Sequence, residues 1–267
     1  MVSRALLEID RLTCGYGDKT ILSDINLSVD TREIVTIIGP NGSGKTTLLR
    51  AVSRILAPRK GNIRLVGKDI SEMTPENLAR KIAVVGQFRE PVAMTVRQYV
   101  LLGRIPFYKR FQFIETDRDR AMADRYIRLT GINDCRDQWL NELSGGQMQL
   151  AAIARALTQE PELLLLDEPT AHLDITHQAR ILDLIRQLNR ELSITVLMVL
   201  HDLNLASEYS HRLMLLKDGR QVACGKPDQV LTCQIVEAVY DTTVLVDKNP
   251  LTGRPHIFLV SKEAKTE

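Results

Sequence analysis

The chain has 267 residues, 44% hydrophobic, 25% charged and 4% aromatic, the proportions of an ordinary globular protein long enough to bury a core in one large domain or two small ones. Its formal net charge of +2 argues against a nucleic-acid binder that relies on a broad basic field. Cys14, Cys135, Cys224 and Cys233 stand far apart without a C-x-x-C pair, so reduced thiols are expected rather than a disulfide framework or a zinc site. Charged residues Arg4, Glu8, Asp10 and Arg11 argue against a signal peptide, and no apolar run approaches the ~18 residues of a membrane-spanning helix.

Taken in chain order, Leu6 to Val29 reads as short strands around a turn at Gly15-Tyr16-Gly17-Asp18. Glu33 to Ile38 reads as a buried strand, and Thr47 to Val52 as a helix. Between them lies Gly39-Pro40-Asn41-Gly42-Ser43-Gly44-Lys45-Thr46-Thr47, which fits G-x-x-x-x-G-K-[ST] at every fixed position. Glycines in this run let successive N–H groups face a β-phosphate, and the following helix adds its positive N-terminus. Lys45 then reaches the β- and γ-phosphates as a point charge, and the Thr46 hydroxyl ligates Mg²⁺. The spacing predicts a nucleoside-triphosphate site.

Further strands are predicted at Asn62 to Val66 and Ile82 to Val85, separated by Gly67-Lys68-Asp69 and a short helix near Pro75. Thr95 to Gly131 reads as a mostly helical insertion interrupted at Ile105-Pro106-Phe107. Within it, Asp117 to Leu129 is charged on one side, with Ala121, Tyr126 and Leu129 as its apolar positions. A helix is expected near Ser144, a strand at Leu163 to Leu166, and a helix from Thr176 to Leu192 whose stripe is Ile181, Leu184, Ile185, Leu188 and Leu192. Strands at Thr195 to Leu200 and Leu213 to Leu216 follow, then a hairpin at Lys217-Asp218-Gly219-Arg220. This alternation implies a mainly parallel sheet covered by helices. The tail from Asp247 onward, with Pro250, Gly253 and Pro255, reads as a loose peripheral element.

Two more runs carry chemistry. Leu163 to Leu166 is buried on both faces in this reading and delivers Asp167 and Glu168 at the C-terminal edge of the sheet. There Asp167 is suited to hold Mg²⁺, and Glu168 to polarise a water for in-line attack on the γ-phosphate. Ser144 followed by Gln147 has the form of a capping box, so a helix starts there. Gly145 and Gly146 in its first turn cost helix stability, which makes sense if a phosphate approaches the backbone.

The phosphate loop, Leu143-Ser144-Gly145-Gly146-Gln147, Leu163 to Glu168, Ala171-His172-Leu173-Asp174 and His201 come in the order and spacing of ABC-transporter ATPase subunits, which the chain resembles over about residues 5 to 230. The resemblance implies an α/β fold: a P-loop NTPase with an ABC-type core sheet, an N-terminal antiparallel β subdomain and a helical signature subdomain. It assigns residues 1–240 to the ATPase domain, about 88–160 to the helical subdomain and 241–267 to a peripheral tail. It further implies that two copies pair head-to-tail and trap two ATP molecules with Mg²⁺, each between one loop and the other copy's signature helix. By this resemblance Tyr16 stacks on adenine, and Gln87 touches Mg²⁺ and the attacking water while sensing a membrane partner. Ser144, Gly146 and Gln147 contact the γ-phosphate across the dimer. His201 binds the γ-phosphate and holds the water, and Asp174 couples the two sites.

Thr95-Val96-Arg97-Gln98-Tyr99-Val100-Leu101-Leu102-Gly103-Arg104-Ile105-Pro106-Phe107, Pro169 to Asp174, His201-Asp202-Leu203-Asn204-Leu205-Ala206 and the tail Asn249 to Pro255 are similar to the ATPases of iron-siderophore, haem and cobalamin importers. The stretch from Thr46 to Ser144 is too short for the coiled-coil arms of chromosome-organising ATPases, and a single signature argues against tandem translation factors. The expected partners are polytopic permease subunits at the cytoplasmic face of the cell membrane and, indirectly, a substrate-binding protein, with no nucleic acid. Met148 departs from the arginine that many relatives carry after the signature. The aromatic–basic run Phe107 to Phe113 is read as a surface packing on a partner. A non-transport remodelling ATPase and a regulatory module without turnover are the rival readings; Glu168 and His201 speak against the second.

Overall fold

A computed structural model of the chain describes residues 5–86, 93–109, 112 and 114–261; residues 1–4, 87–92, 110–111, 113 and 262–267, and with them Gln87, lie outside the described residues. In chain order the first elements are β1 (Ala5–Tyr16), β2 (Lys19–Asp30), β3 (Ile34–Ile38), α1 (Lys45–Val52), β4 (Lys60–Leu65) and β5 (Lys68–Asp69). Next come α2 (Pro75–Lys81), β6 (Ile82–Val85), α3 (Val96–Leu101), α4 (Asp117–Leu129), α5 (Gly145–Leu157), β7 (Leu163–Asp167) and α6 (Ile175–Glu191). The remainder is β8 (Thr195–Val199), α7 (Leu203–Tyr209), β9 (Arg212–Lys217), β10 (Arg220–Gly225), α8 (Pro227–Val230), α9 (Cys233–Tyr240), β11 (Val244–Lys248) and β12 (Pro255–Leu259). These elements fall into two compact units, Met1–Ser71 with Thr195–Glu267, and Glu72–Ile194.

In the first unit, β1 pairs antiparallel with β2 and β4, and β4 with β5. The short strands expected before the phosphate loop are two strands of 12 residues. Alternation places Leu7, Ile9, Leu12 and Cys14 of β1, and Leu22, Ile25, Leu27 and Val29 of β2, in the core. Arg11 and Asp24 take left-handed φ values of 45° and 55°, and the β1–β2 register shifts on both sides of Leu12, so bulges let the strands run on. Strand β3 lies parallel to both β8 and β9, and β9 returns antiparallel through β10. Every residue of β3 and β8 is buried, which is why both are apolar apart from Thr36 and Thr195.

The tail departs from the expectation of a loose element. Strands β11 and β12 form an antiparallel hairpin tied to α7 by polar side chains. Asn204 Oδ1 accepts from Ile257 N at 2.7 Å, Ser207 Oγ donates to Pro255 O at 2.7 Å, and the Arg254 guanidinium donates to Ser207 O and Ser210 O. Pro250 and Gly253 lie in the loop between the two strands, and Pro255 opens β12. They gave no warning that partners on α7 order what flanks it.

In the second unit, β6 and β7 are parallel, with Ile82 opposite Leu163 and Val85 opposite Leu166. The helices start on side-chain caps: Thr74 for α2, Thr95 with Gln98 for α3, Thr116 with Asp119 for α4 and Ser144 with Gln147 for α5. Helix α4 buries Tyr126 as its apolar positions suggested, but the buried face is rotated away from Ala121. Ala123, Tyr126 and Ile127 are buried, whereas Ala121 is exposed. The reason is Asp119, itself buried, whose Oδ1 lies 3.0 Å from Nε of the buried Arg104. Nη1 of Arg104 also donates to Thr158 O at 2.6 Å and to Glu160 Oε2 at 3.0 Å, and the guanidinium stacks 3.9 Å over the Phe107 ring. A buried cation needs its counter-ion, and that requirement sets the rotation of α4. The interruption at Ile105-Pro106-Phe107 is a 3₁₀ turn from Leu102 to Phe107 that carries Arg104 into this network.

Candidate functional site

Strand β3 delivers the chain at its C-terminal end into the glycine loop, and α1 leaves from it. Gly39 has φ 147°, and a Cβ there would stand 2.1 Å from Leu216 O and 2.9 Å from Ser43 Oγ, so only glycine passes between β9 and the loop. Gly44 caps α1 in the left-handed region (φ 101°) without any side-chain cap. The positive end of α1 therefore faces the loop without a protein side chain capping it, the arrangement that suits an anion. Ser43 Oγ is buried and has no hydrogen-bond partner, an orphan donor in the loop. Gly219 N in the β9–β10 turn donates to Ser43 O at 3.2 Å and braces the loop from behind. Lys45 is buried, and its Nζ donates to Gly39 O and Pro40 O, both at 2.9 Å. Its ammonium thus lies folded over the loop's own carbonyls, positioned to exchange them for stronger anionic acceptors.

Around this loop, Asn41 and Gly42 are exposed, Thr46 is half-buried and Thr47 is buried. Tyr16 ends β1 with 43% of its surface exposed. Its hydroxyl accepts from Arg50 Nη1 at 2.9 Å, and the guanidinium carbon stands 6.0 Å from the ring centroid. An exposed ring held by a loop-proximal arginine offers a face for a planar base. His201 follows β8 at the surface, just before Asp202, which caps α7 by accepting from Asn204 N at 2.8 Å and Leu205 N at 2.9 Å.

The second unit holds the acidic and signature runs. Leu163 to Leu166 of β7 are completely buried, and the strand brings Asp167 and then Glu168 out half-buried at its end. Glu168 has φ 54°, a strained conformation for a non-glycine residue, and the kind of backbone commonly stored where a side chain must be aimed. Its carbonyl accepts from Ala171 N at 3.1 Å, which turns the chain towards Asp174. The Thr46 hydroxyl in the first unit and the Asp167 carboxylate in the second are each, by their chemistry, hard oxygen donors of the kind that Mg²⁺ takes. Among the described residues no cluster of three or more His, Cys, Asp or Glu side chains is placed to hold a metal by itself.

Ser144 caps α5 as the spacing predicts: its Oγ accepts from Gln147 N at 3.3 Å, and Gln147 Oε1 accepts from Ser144 N at 2.9 Å. The two glycines differ in purpose. Gly145 is exposed, and a Cβ there would meet only Leu173 Cδ2 at 3.4 Å. Gly146 is buried, and its Cβ would stand 2.4 Å from His177 Cδ2. A neighbouring ring accounts for the second glycine. Asp174 is the N-cap of α6, accepting from His177 N at 2.8 Å, and both its oxygens lie within 3.0 Å of His177 Nδ1. The His177 amide, and then its imidazole, hold the Asp174 carboxyl below the usual carboxylate range. His177 links the start of α5 to Asp174, and its i,i+3 spacing from Asp174 is the one trace of this in the sequence.

A glycine loop opening a helix that has no side-chain cap, a buried lysine folded over that loop and a buried strand ending in two acids define a P-loop nucleoside triphosphatase. The family model described as "ABC transporter" matches residues 22–171. Iron(3+)-hydroxamate import ATP-binding protein FhuC of Bacillus subtilis (strain 168) is 40% identical over 250 residues, 93% of this chain and 93% of that one. Ferric enterobactin transport ATP-binding protein FepC of Escherichia coli (strain K12) is 37% identical over 263 residues, covering 98% of this chain and 97% of that one. Among solved structures, the dimeric bacterial ABC transporter cassette MJ0796 aligns with a TM-score of 0.73 at 30% identity, covering 82% of this chain and 98% of that chain. The chain belongs to the ABC transporter family, as an ATP-binding subunit with the ABC ATPase fold.

Proposed function

We propose that this chain is the ATP-hydrolysing subunit of an importer whose cargo is a ferric siderophore or a related metal chelate such as haem or cobalamin. The observation that carries the reading is the phosphate loop, with its orphan Ser43 hydroxyl, the left-handed Gly44 that opens α1 and Lys45 held at the loop carbonyls. Support for the cargo class comes from the similarity to FhuC and FepC over almost the whole chain.

In this reading Tyr16 stacks on the adenine, and the amides from Gly39 to Thr47 with Lys45 bind the polyphosphate. Thr46, Asp167 and Gln87 hold Mg²⁺, which when bound neutralises phosphate charge. Glu168 accepts a proton from the attacking water, and His201 orients that water against the γ-phosphate. Such phosphoryl transfer needs little covalent chemistry from the protein, so positioning and charge compensation supply most of the acceleration.

Ser144, Gly145, Gly146 and Gln147 close the site of a second copy in a head-to-tail dimer, and Asp174 couples the two sites. MJ0796, whose solved form is a dimer, supports pairing as the working state. Among the described residues no helix is long and apolar enough to cross a membrane, so spanning the bilayer falls to permease subunits in this proposal. The chain then sits peripherally at the cytoplasmic face, closing as ATP binds and reopening after hydrolysis, with a substrate-binding protein delivering cargo from the far side.

The test is phosphate release from MgATP by the chain with its permease, compared with Glu168→Gln. The variant is expected to bind MgATP with unchanged affinity and to turn over at least about a thousandfold more slowly. An undiminished rate removes Glu168 from the base role.

A further inference from the structure

Helix α9 lies beyond the stretch matched by the family model, yet its last residue reaches the phosphate loop. The Tyr240 hydroxyl is buried and has no hydrogen-bond partner of ordinary geometry, and the backbone group closest to bonding it is the amide of Gly39. Burial pushes the phenol up to about 12, and a marginal hydrogen bond from the Gly39 backbone pulls weakly the other way. A buried hydroxyl without a partner costs stability in every state that leaves it so.

The surroundings make this contact a bracket rather than an accident. Lys217, at the end of β9, donates from Nζ to Ala238 O of α9 at 2.7 Å and lies 3.7 Å from Asp241 Oδ1. The neighbouring Leu216 O is the atom that a side chain on Gly39 would strike, and Gly219 N holds Ser43 O. One end of β9 therefore fixes both the glycine loop and the C-terminus of α9. Lys45, whose ammonium donates to Gly39 O and Pro40 O, gives the loop a reason to shift, because a polyphosphate competes for the same ammonium.

We propose that Tyr240 is a positioning residue for the phosphate loop: its hydroxyl oxygen accepts a full hydrogen bond from the Gly39 amide once a nucleoside polyphosphate draws Lys45 off the loop carbonyls and the loop shifts, so that α9 tunes nucleotide affinity from outside the site. The inference rests on the phosphate-loop reading and adds to it a residue that does not touch the ligand. It accounts for a buried hydroxyl that the ligand-free geometry leaves without a well-formed bond. It also ties the C-terminal α9 to the state of the loop.

The decisive variant is Tyr240→Phe, which keeps the ring and removes only the hydroxyl. Calorimetric titration with MgATP and thermal unfolding without nucleotide are measured on wild type and variant. The expected result is an MgATP Kd raised about fivefold or more, with a melting midpoint unchanged or higher, since a buried unsatisfied hydroxyl has been deleted. In turnover the loss falls on KM, with kcat retained, because Tyr240 touches neither water nor phosphate. A tyrosine that merely packs would leave Kd where it was, and an unchanged Kd overturns the proposal. Tyr240→Ala, which also removes the ring, is expected to lower the melting midpoint; if it alone weakens nucleotide binding while Tyr240→Phe does not, the hydroxyl has no role and the proposal falls. Wild-type protein that binds no MgATP would instead sink the phosphate-loop reading itself.

Discussion

The imidazole of His177 occupies the space that a side chain at residue 146 would need, its Cδ2 standing 2.4 Å from the Cβ position of Gly146, while its Nδ1 holds Asp174 at 2.9 Å. One ring thus packs the start of α5 against the start of α6. Two segments that sequence comparison assigns to separate tasks share a single mechanical part.

Gly146→Ala is expected to destabilise the chain by about 1–3 kcal/mol despite alanine's better helix propensity, because the ring is tethered and cannot yield freely. Adding His177→Ala to it should recover most of that loss, since the clash then has no second party. Urea unfolding of both single variants and the double variant gives the coupling directly. Additive effects would show that the ring and the glycine are independent.

Arg104→Met is expected to cost about 3–5 kcal/mol, because it strands the buried Asp119 without its counter-ion. Burial pushes the Asp119 carboxyl up, but the Thr116 hydroxyl and amide together with Arg104 outweigh it and hold it below the usual range. Pairing Arg104→Met with Asp119→Asn removes the stranded charge and keeps a helix cap, so the double variant should be the more stable of the two. Denaturation midpoints decide the order.

Lys45→Ala should weaken MgATP binding by at least about tenfold, since a charge-assisted contact to phosphate is lost. The same change leaves Gly39 O and Pro40 O without their donor, so a loss of about 1 kcal/mol in ligand-free stability should accompany it. Calorimetry and thermal melts separate the two effects.

Stability should fall with acid through Asp174. Its carboxyl is held below its ordinary value of 3.8 by the His177 amide and imidazole, so the unfolded chain takes up the proton first. The cap's contribution is present above pH 3.8 and is lost as pH drops through that value towards the depressed folded one. Asp174→Asn still caps α6 at neutral pH but cannot titrate, and its stability profile should be flatter over the same acid window. Matching acid profiles would exclude Asp174 as a source of the dependence.

Much of the candidate site could be read from residues alone, because its parts are local. The run Gly39 to Thr47 specifies its own backbone path, and Ser144 with Gln147 forms the predicted capping box within four consecutive residues. Leu163 to Leu166 announced a strand buried on both faces, and β7 is one. Errors arose where a distant partner intervened. Ala121 looked like a core position until Arg104 drew Asp119 inward, and residues from Asp247 looked loose until Asn204, Ser207 and Arg254 supplied their bonds.

Periodicity, turn chemistry and a nine-residue glycine loop were enough to establish the class of fold and the kind of ligand, because these depend on neighbours a few bonds away. Which face α4 buries, why residue 146 lacks a side chain, and that Tyr240 ends beside Gly39 were decided only once the chain had packed. Those outcomes turn on excluded volume and buried charge between residues far apart in the chain, and no local pattern encodes the distance that will separate them.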